Sequence, residues 1–362
     1  MKKLYICIAF IILQFSLSLN SLASPPEAQA HSFLRFERFE AAIKPYVEKG
    51  FKGNIIVATK QGSIFSKSIG QAIAGKANYT PSTAVDIASV SKQFTAAAIM
   101  KLVELGKLDT SHSISRYIKG VPSDKANITI HHLLTHSAGF KRDVGRDEER
   151  ISRDDYEQKA MASELAFGVG EQYHYSNIGY SLLAIIVEKV SGQGFEDFLF
   201  ENLLEPAGMF ATGYSRPDWS QRTIPEVTRL YKGYRQPLEL FNDLEGEYWN
   251  MMGSGGIIST AEDMLKWHLA LLKGKVLSVA SQQQMFSPHV AEYDDGYFYG
   301  YGWSVVPFAD KENLVWHNGM SFFGKAEYWR LPEQGLMIFV ASHEGDVEPW
   351  SIANALYQTL YK

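Results

Sequence analysis

Asp86-Ile87-Ala88-Ser89-Val90-Ser91-Lys92-Gln93-Phe94-Thr95-Ala96-Ala97-Ala98-Ile99-Met100 decides how the rest of the chain is read. Ser89 and Lys92 stand three residues apart. Phe94, Ala97, Ala98, Leu102 and their neighbours keep helical spacing with few β-branched residues, so both polar residues are expected on one face of a first helical turn. A serine hydroxyl is a weak nucleophile until a neighbouring base takes its proton. Lys92 could be that base if burial lowers its pKa, because desolvation disfavours the ammonium form. The helix N-terminus would add unpaired backbone N–H groups and partial positive charge suited to an oxyanion. The same residues also fit a capped, solvated helix start, so the rest of the chain has to choose between the two.

Upstream, Lys2 and Lys3 precede an apolar run from Leu4 to Leu19 and the small-residue site Ser21-Leu22-Ala23. This is the pattern of a signal peptide, with cleavage expected after Ala23. A retained anchor is the rival reading, and it would be the chain's only route to a membrane. The run is short for a span and is interrupted by Gln14 and serines. The single cysteine, Cys7, lies in that segment, so an exported mature chain would fold without disulfides, by packing alone. The net charge of −5, or −7 without Lys2 and Lys3 (33 basic against 40 acidic residues), argues against a nucleic-acid partner. Export would place the mature protein in the periplasm or outside the cell. The oligomeric state stays open.

Residues 24–31 read as a flexible leader, followed by a helix from Phe33 to Glu48. A hairpin is expected from Asn54–Thr59 and Ser63–Gly70, and Gly106 should close the Ser89 helix. His132 and His136, four apart, invite comparison with a metal site. No catalytic Glu follows the first His, so packing and hydrogen bonding is the reading taken, with no metal and no cofactor. Lys141 to Lys159 is crowded with charge and reads as a solvated excursion or the rim of a cleft. Tyr175-Ser176-Asn177 follows a Gly-marked turn and leads into a helix from Ile178 to Val190, which Asn177 could cap. Another helix, Phe195 to Leu204, should end before Pro206. Ser259 with Glu262 reads as a capping box for a helix to about Leu272. Strands Trp303–Val306, Leu314–His317, Lys325–Arg330 and Leu336–Ser342 and a helix Pro349–Tyr361 end the chain. Strands at both ends and helices between predict an α/β (α+β) fold. Its sheet lobe would be about 32–88 and 295–362, with a mostly helical lobe, about 89–294, inserted between.

Together these pieces resemble the serine penicillin-recognising family, in its branch of class C β-lactamases, D,D-carboxypeptidases, D-aminopeptidases and esterases. The first motif is Ser89-Val90-Ser91-Lys92, the second Tyr175-Ser176-Asn177 and the third His317-Asn318-Gly319. Supporting stretches include Leu133-Leu134-Thr135-His136-Ser137-Ala138-Gly139 and Tyr299-Gly300-Tyr301-Gly302-Trp303. The resemblance implies a β-lactamase-like antiparallel sheet flanked by helices. It implies that Ser89 is acylated while Lys92 and Tyr175 share the proton, and that Asn177, His317, Asn318 and Gly319 contact substrate. The oxyanion hole would be the backbone N–H groups of Ser89 and Met320. A tyrosine ionises near pH 10, so Tyr175 could act as a base near neutrality only beside positive charge such as Lys92. The third motif departs from the lactamase Lys-Thr-Gly. His317 would be charged only in part near neutral pH, which puts efficient β-lactam hydrolysis in doubt. Substrates would be D-amino-acid peptides such as peptidoglycan stems, β-lactams or esters. The alternative is a penicillin or peptidoglycan sensor, or an assembly protein, on the same scaffold with little turnover.

Overall fold

The computed structural model describes residues 26–292, 296–308 and 313–361. The signal-peptide reading, Cys7 and the first two leader residues lie outside them. The amino-terminal helix spans Pro26–Glu48. It therefore begins inside the stretch read as leader, ahead of the Phe33 start expected from apolar spacing.

One eight-stranded sheet organises the chain: β1 Gly53–Thr59, β2 Gly62–Ile69, β3 Val290–Ala291, β4 Phe298–Tyr299, β5 Ser304–Pro307, β6 Asn313–Met320, β7 Lys325–Leu331 and β8 Leu336–Ser342. The order is β2-β1-β8-β7-β6-β5-β4-β3, antiparallel throughout. The carboxy-terminal meander thus closes onto the amino-terminal hairpin, and everything between β2 and β3 is an insertion on one face.

Side-chain alternation explains why the sheet is covered twice. In β8, Met337, Phe339 and Ala341 join the core shared with the insertion, while Ile338 and Val340 join a second core. That second core packs against Phe39 and Ile43 of the amino-terminal helix and Ile352 and Leu356 of the carboxy-terminal helix Pro349–Leu360. Inside the insertion, helices Lys92–Glu104 and Asn177–Ser191 pack together and are buried along most of their length. Such central helices hold their ends rigidly, and the catalytic candidates sit at those ends.

Two boundaries differ from the sequence reading. Thr260, not Ser259, caps Ala261–Leu272 by accepting the Asp263 N–H, while the Ser259 hydroxyl is engaged with that of Thr212 at 2.8 Å; both lie in a short strand Ile258–Thr260 paired with Ala84–Asp86. The helix from Phe195 also runs on through Pro206 to Ala207, by way of a wider turn at Phe200–Leu204.

Glu327 in β7 is buried and accepts a bond from Trp329 Nε1 at 2.6 Å. Burial pushes its carboxyl up to about 8, and the like charge of Glu348 adds to this. An unfolded glutamate titrates near 4.5, so between that pH and about 8 the folded state holds a proton that the unfolded state has released. Stability therefore falls as pH rises through this window. Glu327→Gln should match the parent near pH 4 and exceed it at pH 8 by a few kcal/mol, because each tenfold change in proton affinity on folding is worth about 1.4 kcal/mol. Urea unfolding at the two pH values measures this difference.

Candidate active site

Ser89 lies in a single 3-10 turn, Ala88–Ser91, and Lys92 is the first residue of the α-helix that follows. The two are thus not in one α-helical turn as expected, yet they still meet: Lys92 Nζ is 3.2 Å from Ser89 Oγ. The turn is held under strain. Ala88 has φ +48°, a left-handed conformation that costs a non-glycine residue about 1–2 kcal/mol. Its N–H donates to Asp86 Oδ1 at 2.8 Å, while Asp86 Oδ2 accepts from Ser321 Oγ at 2.6 Å. One buried carboxylate therefore ties the nucleophile turn to the chain just past Met320.

Lys92 is fully buried, and its amine reaches two carbonyl oxygens besides the serine: Asn177 Oδ1 at 2.7 Å and the Ser254 backbone oxygen at 2.6 Å. Burial drives its pKa well below the usual lysine value, with Arg142 adding to this and Asp143 and Asp147 opposing it. Carbonyls can only accept. A neutral amine spends its two hydrogens on them and turns its lone pair to the Ser89 hydroxyl.

The second motif is placed by the loop before it. His136, at φ +58°, accepts the Ser176 N–H on Nδ1 at 3.1 Å. Ser176 Oγ donates to the Lys141 carbonyl, and the Asn177 N–H to that of Arg142. Ser176, not Asn177, caps the helix Asn177–Ser191. That leaves the Asn177 amide free to grip Lys92 with Oδ1 and Asp143 with Nδ2, at 2.6 Å. The Ser254 carbonyl is held from below. Gly253 lies so close to the Asn177–Ser191 helix that a Cβ there would stand 2.7 Å from the Tyr180 carbonyl oxygen.

Tyr175 places its ring 4.6 Å from Lys92 Nζ. Burial pushes its phenol above the ordinary value, opposed by the neighbouring Ser89 hydroxyl and Arg142. The neutral phenol is therefore the resting form. With Lys92 itself held toward neutrality, the positive charge that would have favoured the tyrosinate is missing.

His317 also departs from expectation. Its Nδ1 faces the Asn318 carbonyl at 2.6 Å and must carry the hydrogen, so Nε2 accepts the Tyr299 hydroxyl at 2.9 Å. Burial holds its pKa down to about 3. The imidazole is neutral at neutral pH rather than partly charged, and the third motif offers a substrate carboxylate no cation.

Two cavities, about 700 and 570 Å³, open on either side of the nucleophile, and Ser89, Arg142 and Met320 line both. The larger is aromatic, with Tyr173, Tyr297, Trp316 and Trp350 beside His317 and Asn318. The smaller carries both signs of charge, with Asp86, Asp143, Asp147 and Glu148 beside Asn177 and with Arg142, Arg146 and Lys232 on its lining. The charged excursion after Lys141 is thus a wall of the cleft. It is joined by the 211–250 region, where Tyr231 donates to Glu148 and stacks on Phe322 with centroids 3.6 Å apart. Among the described residues no group of three or more His, Cys, Asp or Glu is placed to hold a metal ion. His132 is engaged in a helix cap with Thr129.

A family model for beta-lactamase matches residues 39–358. The chain belongs to the beta-lactamase family. Among curated proteins it is 29% identical over 315 residues to penicillin-binding protein 4* of Bacillus subtilis, covering 82% of this chain and 69% of that one. Among solved structures, a penicillin-binding protein from Bacillus halodurans superposes with a TM-score of 0.73 at 25% identity, covering 88% of this chain and 99% of that one. A beta-lactamase/D-alanine carboxypeptidase from Yersinia pestis shares the fold, with a TM-score of 0.74 at 20% identity and coverage of 93% and 99%. The antiparallel sheet with its helical insertion is accordingly the beta-lactamase-like fold.

Within this family fold, the sequence reading missed Asp86, Arg142, Asp147, Tyr299 and the Ser254 carbonyl. Asp86 carried a signal, since it stands two residues before a strained turn that needs an acceptor. The others act through distant loops or through the backbone. Gly319 fits closely: a Cβ there would stand 2.1 Å from the Ile87 carbonyl oxygen. Gly319→Ala should push β6 off the nucleophile turn and lower the acylation rate on the order of 10²-fold. Its far-ultraviolet circular dichroism should not change. Stopped-flow acylation with a chromogenic thioester makes the comparison.

Proposed function

We propose that the protein is an exported serine hydrolase that forms an acyl-enzyme on Ser89. The observation that carries this is the buried Lys92 amine, fixed by the Asn177 and Ser254 carbonyls with its Nζ 3.2 Å from Ser89 Oγ. Ser89 Oγ attacks the acyl carbonyl carbon and its proton passes to Lys92 Nζ. The carbonyl oxygen becomes an oxyanion facing the Ser89 and Met320 backbone N–H groups. Collapse expels the leaving group, which takes a proton from the Tyr175 phenol, and Lys92 re-protonates Tyr175. Water then attacks the ester with the same pair accepting its proton. Residues 1–23, with Lys2, Lys3 and a site after Ala23, support the export step.

The cleft favours acyl donors with a cationic group on the acyl side. Asp147 lines the cavity beside Asn177, and its carboxylate has no ion-pair partner among the described residues. Burial and then the neighbouring Asp143, Asp86 and Glu148 raise its pKa to about 6. A substrate ammonium would relieve that repulsion. D-amino-acid amides and peptides, whose acyl part carries an ammonium, suit this wall. Fold relatives include a D-amino acid amidase from Ochrobactrum anthropi, at 18% identity and a TM-score of 0.73.

Intact-mass spectrometry of the protein with a penicillin and with a fluorophosphonate should show a single adduct, absent from Ser89→Ala. Decay of the penicillin adduct over minutes marks a hydrolase, and persistence over hours marks the sensor reading. Silence of both probes on the wild type would refute the nucleophile.

Asp147→Asn should reduce kcat/KM for ammonium-bearing donors about tenfold, the cost of one partly exposed pair at about 1.4 kcal/mol, and leave uncharged esters unchanged. Because the carboxylate forms above about pH 6, the wild-type preference for cationic donors should rise with pH through that value. In the variant it should be flat.

A further inference from the structure

Away from the cleft, the guanidinium of Arg330 in β7 is wholly buried and has no ion-pair partner among the described residues. Its Nε donates to His268 Nδ1 at 3.2 Å, and His268 Nε2 in turn donates to the Gly335 carbonyl at 3.1 Å. That arrangement fixes the neutral imidazole, whose pKa burial and then Arg330 hold down to about 3. His268 therefore cannot balance the guanidinium. Neither Nη1 nor Nη2 has a hydrogen-bond acceptor among the described residues. The guanidinium carbon lies 5.3 Å from the Phe286 ring centroid and 5.9 Å from that of Trp303. The indole Nε1 of Trp303 is equally buried and equally without an acceptor.

Every unmet polar atom in this cluster is a donor. The ring faces offset part of the charge, but a buried guanidinium left otherwise unpaired is strongly destabilising. A water molecule would satisfy Nη1 and Nη2 but leave the charge uncompensated, whereas an anion accepts from both and neutralises the charge. We propose that Arg330 holds a small monovalent anion of the chloride class, with the Trp303 N–H as a further donor. Arg330 stands opposite Val315 in β6, two residues before His317. The ion therefore braces the strand that carries the third motif and touches no reacting atom.

Thermal unfolding of the full-length protein in chloride, bromide or gluconate at constant ionic strength tests this. The wild-type midpoint should rise saturably in chloride and bromide, by about 2–4 °C over gluconate. Arg330→Met should lose that difference, and Trp303→Phe should need a higher chloride concentration for the same shift. Crystals grown in bromide should show an anomalous peak at hydrogen-bond distance from Nη1 or Nη2. That readout needs only the wild-type protein and stands if Arg330→Met does not fold. No peak, a protein carboxylate on Arg330, or an equal chloride shift in Arg330→Met would overturn the assignment.

Discussion

The structure depends on keeping one lysine amine dry. Lys92 is inaccessible to solvent, yet its Nζ touches the Ser89 hydroxyl, which is only half-buried. An ammonium in such a place is expensive, and the fold meets the cost by giving the amine two fixed carbonyl oxygens instead of a carboxylate. A bound carboxylate would have held the proton on. Two carbonyls orient the amine without raising its basicity so strongly, which is what a base acting on serine requires.

That arrangement explains the architecture around it. The Asn177 carbonyl comes from one central helix, the Ser254 carbonyl from a loop pressed against that helix, and Ser89 from a strained turn at the end of another. The sheet completes the site from the opposite side, where Gly319 lets β6 approach the Ile87 carbonyl and Asp86 bonds across to Ser321. Lobes that meet only through side chains would drift by more than the near-attack geometry tolerates. Here backbone contacts carry the join.

Sequence spacing revealed the frame well. β8 and the carboxy-terminal helix fall where alternation and helical period put them, because each faces a large apolar core and tertiary packing agrees with local pattern. The motif order was legible too, since Ser89, Tyr175, Asn177 and His317 do converge on one cleft. Electrostatics were not legible. The resting states of Tyr175 and His317 follow chiefly from burial, which is not written in a local stretch of residues. Caps misled for a related reason. At Asn177 and Ser259 the neighbouring residue took the cap, because the side chain expected to do so is engaged elsewhere, in the grip on Lys92 and in the bond to Thr212.

The central claim is that Lys92 rests as a neutral amine facing Ser89. Selective ¹³Cε labelling of lysine, with the Lys92 resonance assigned by Lys92→Arg, reads its protonation directly through a pH titration by NMR. The structure predicts a midpoint far below the ordinary lysine value, with the amine neutral at pH 7.5. A resonance that stays in the ammonium position up to pH 10 would contradict it and move the role of base away from Lys92.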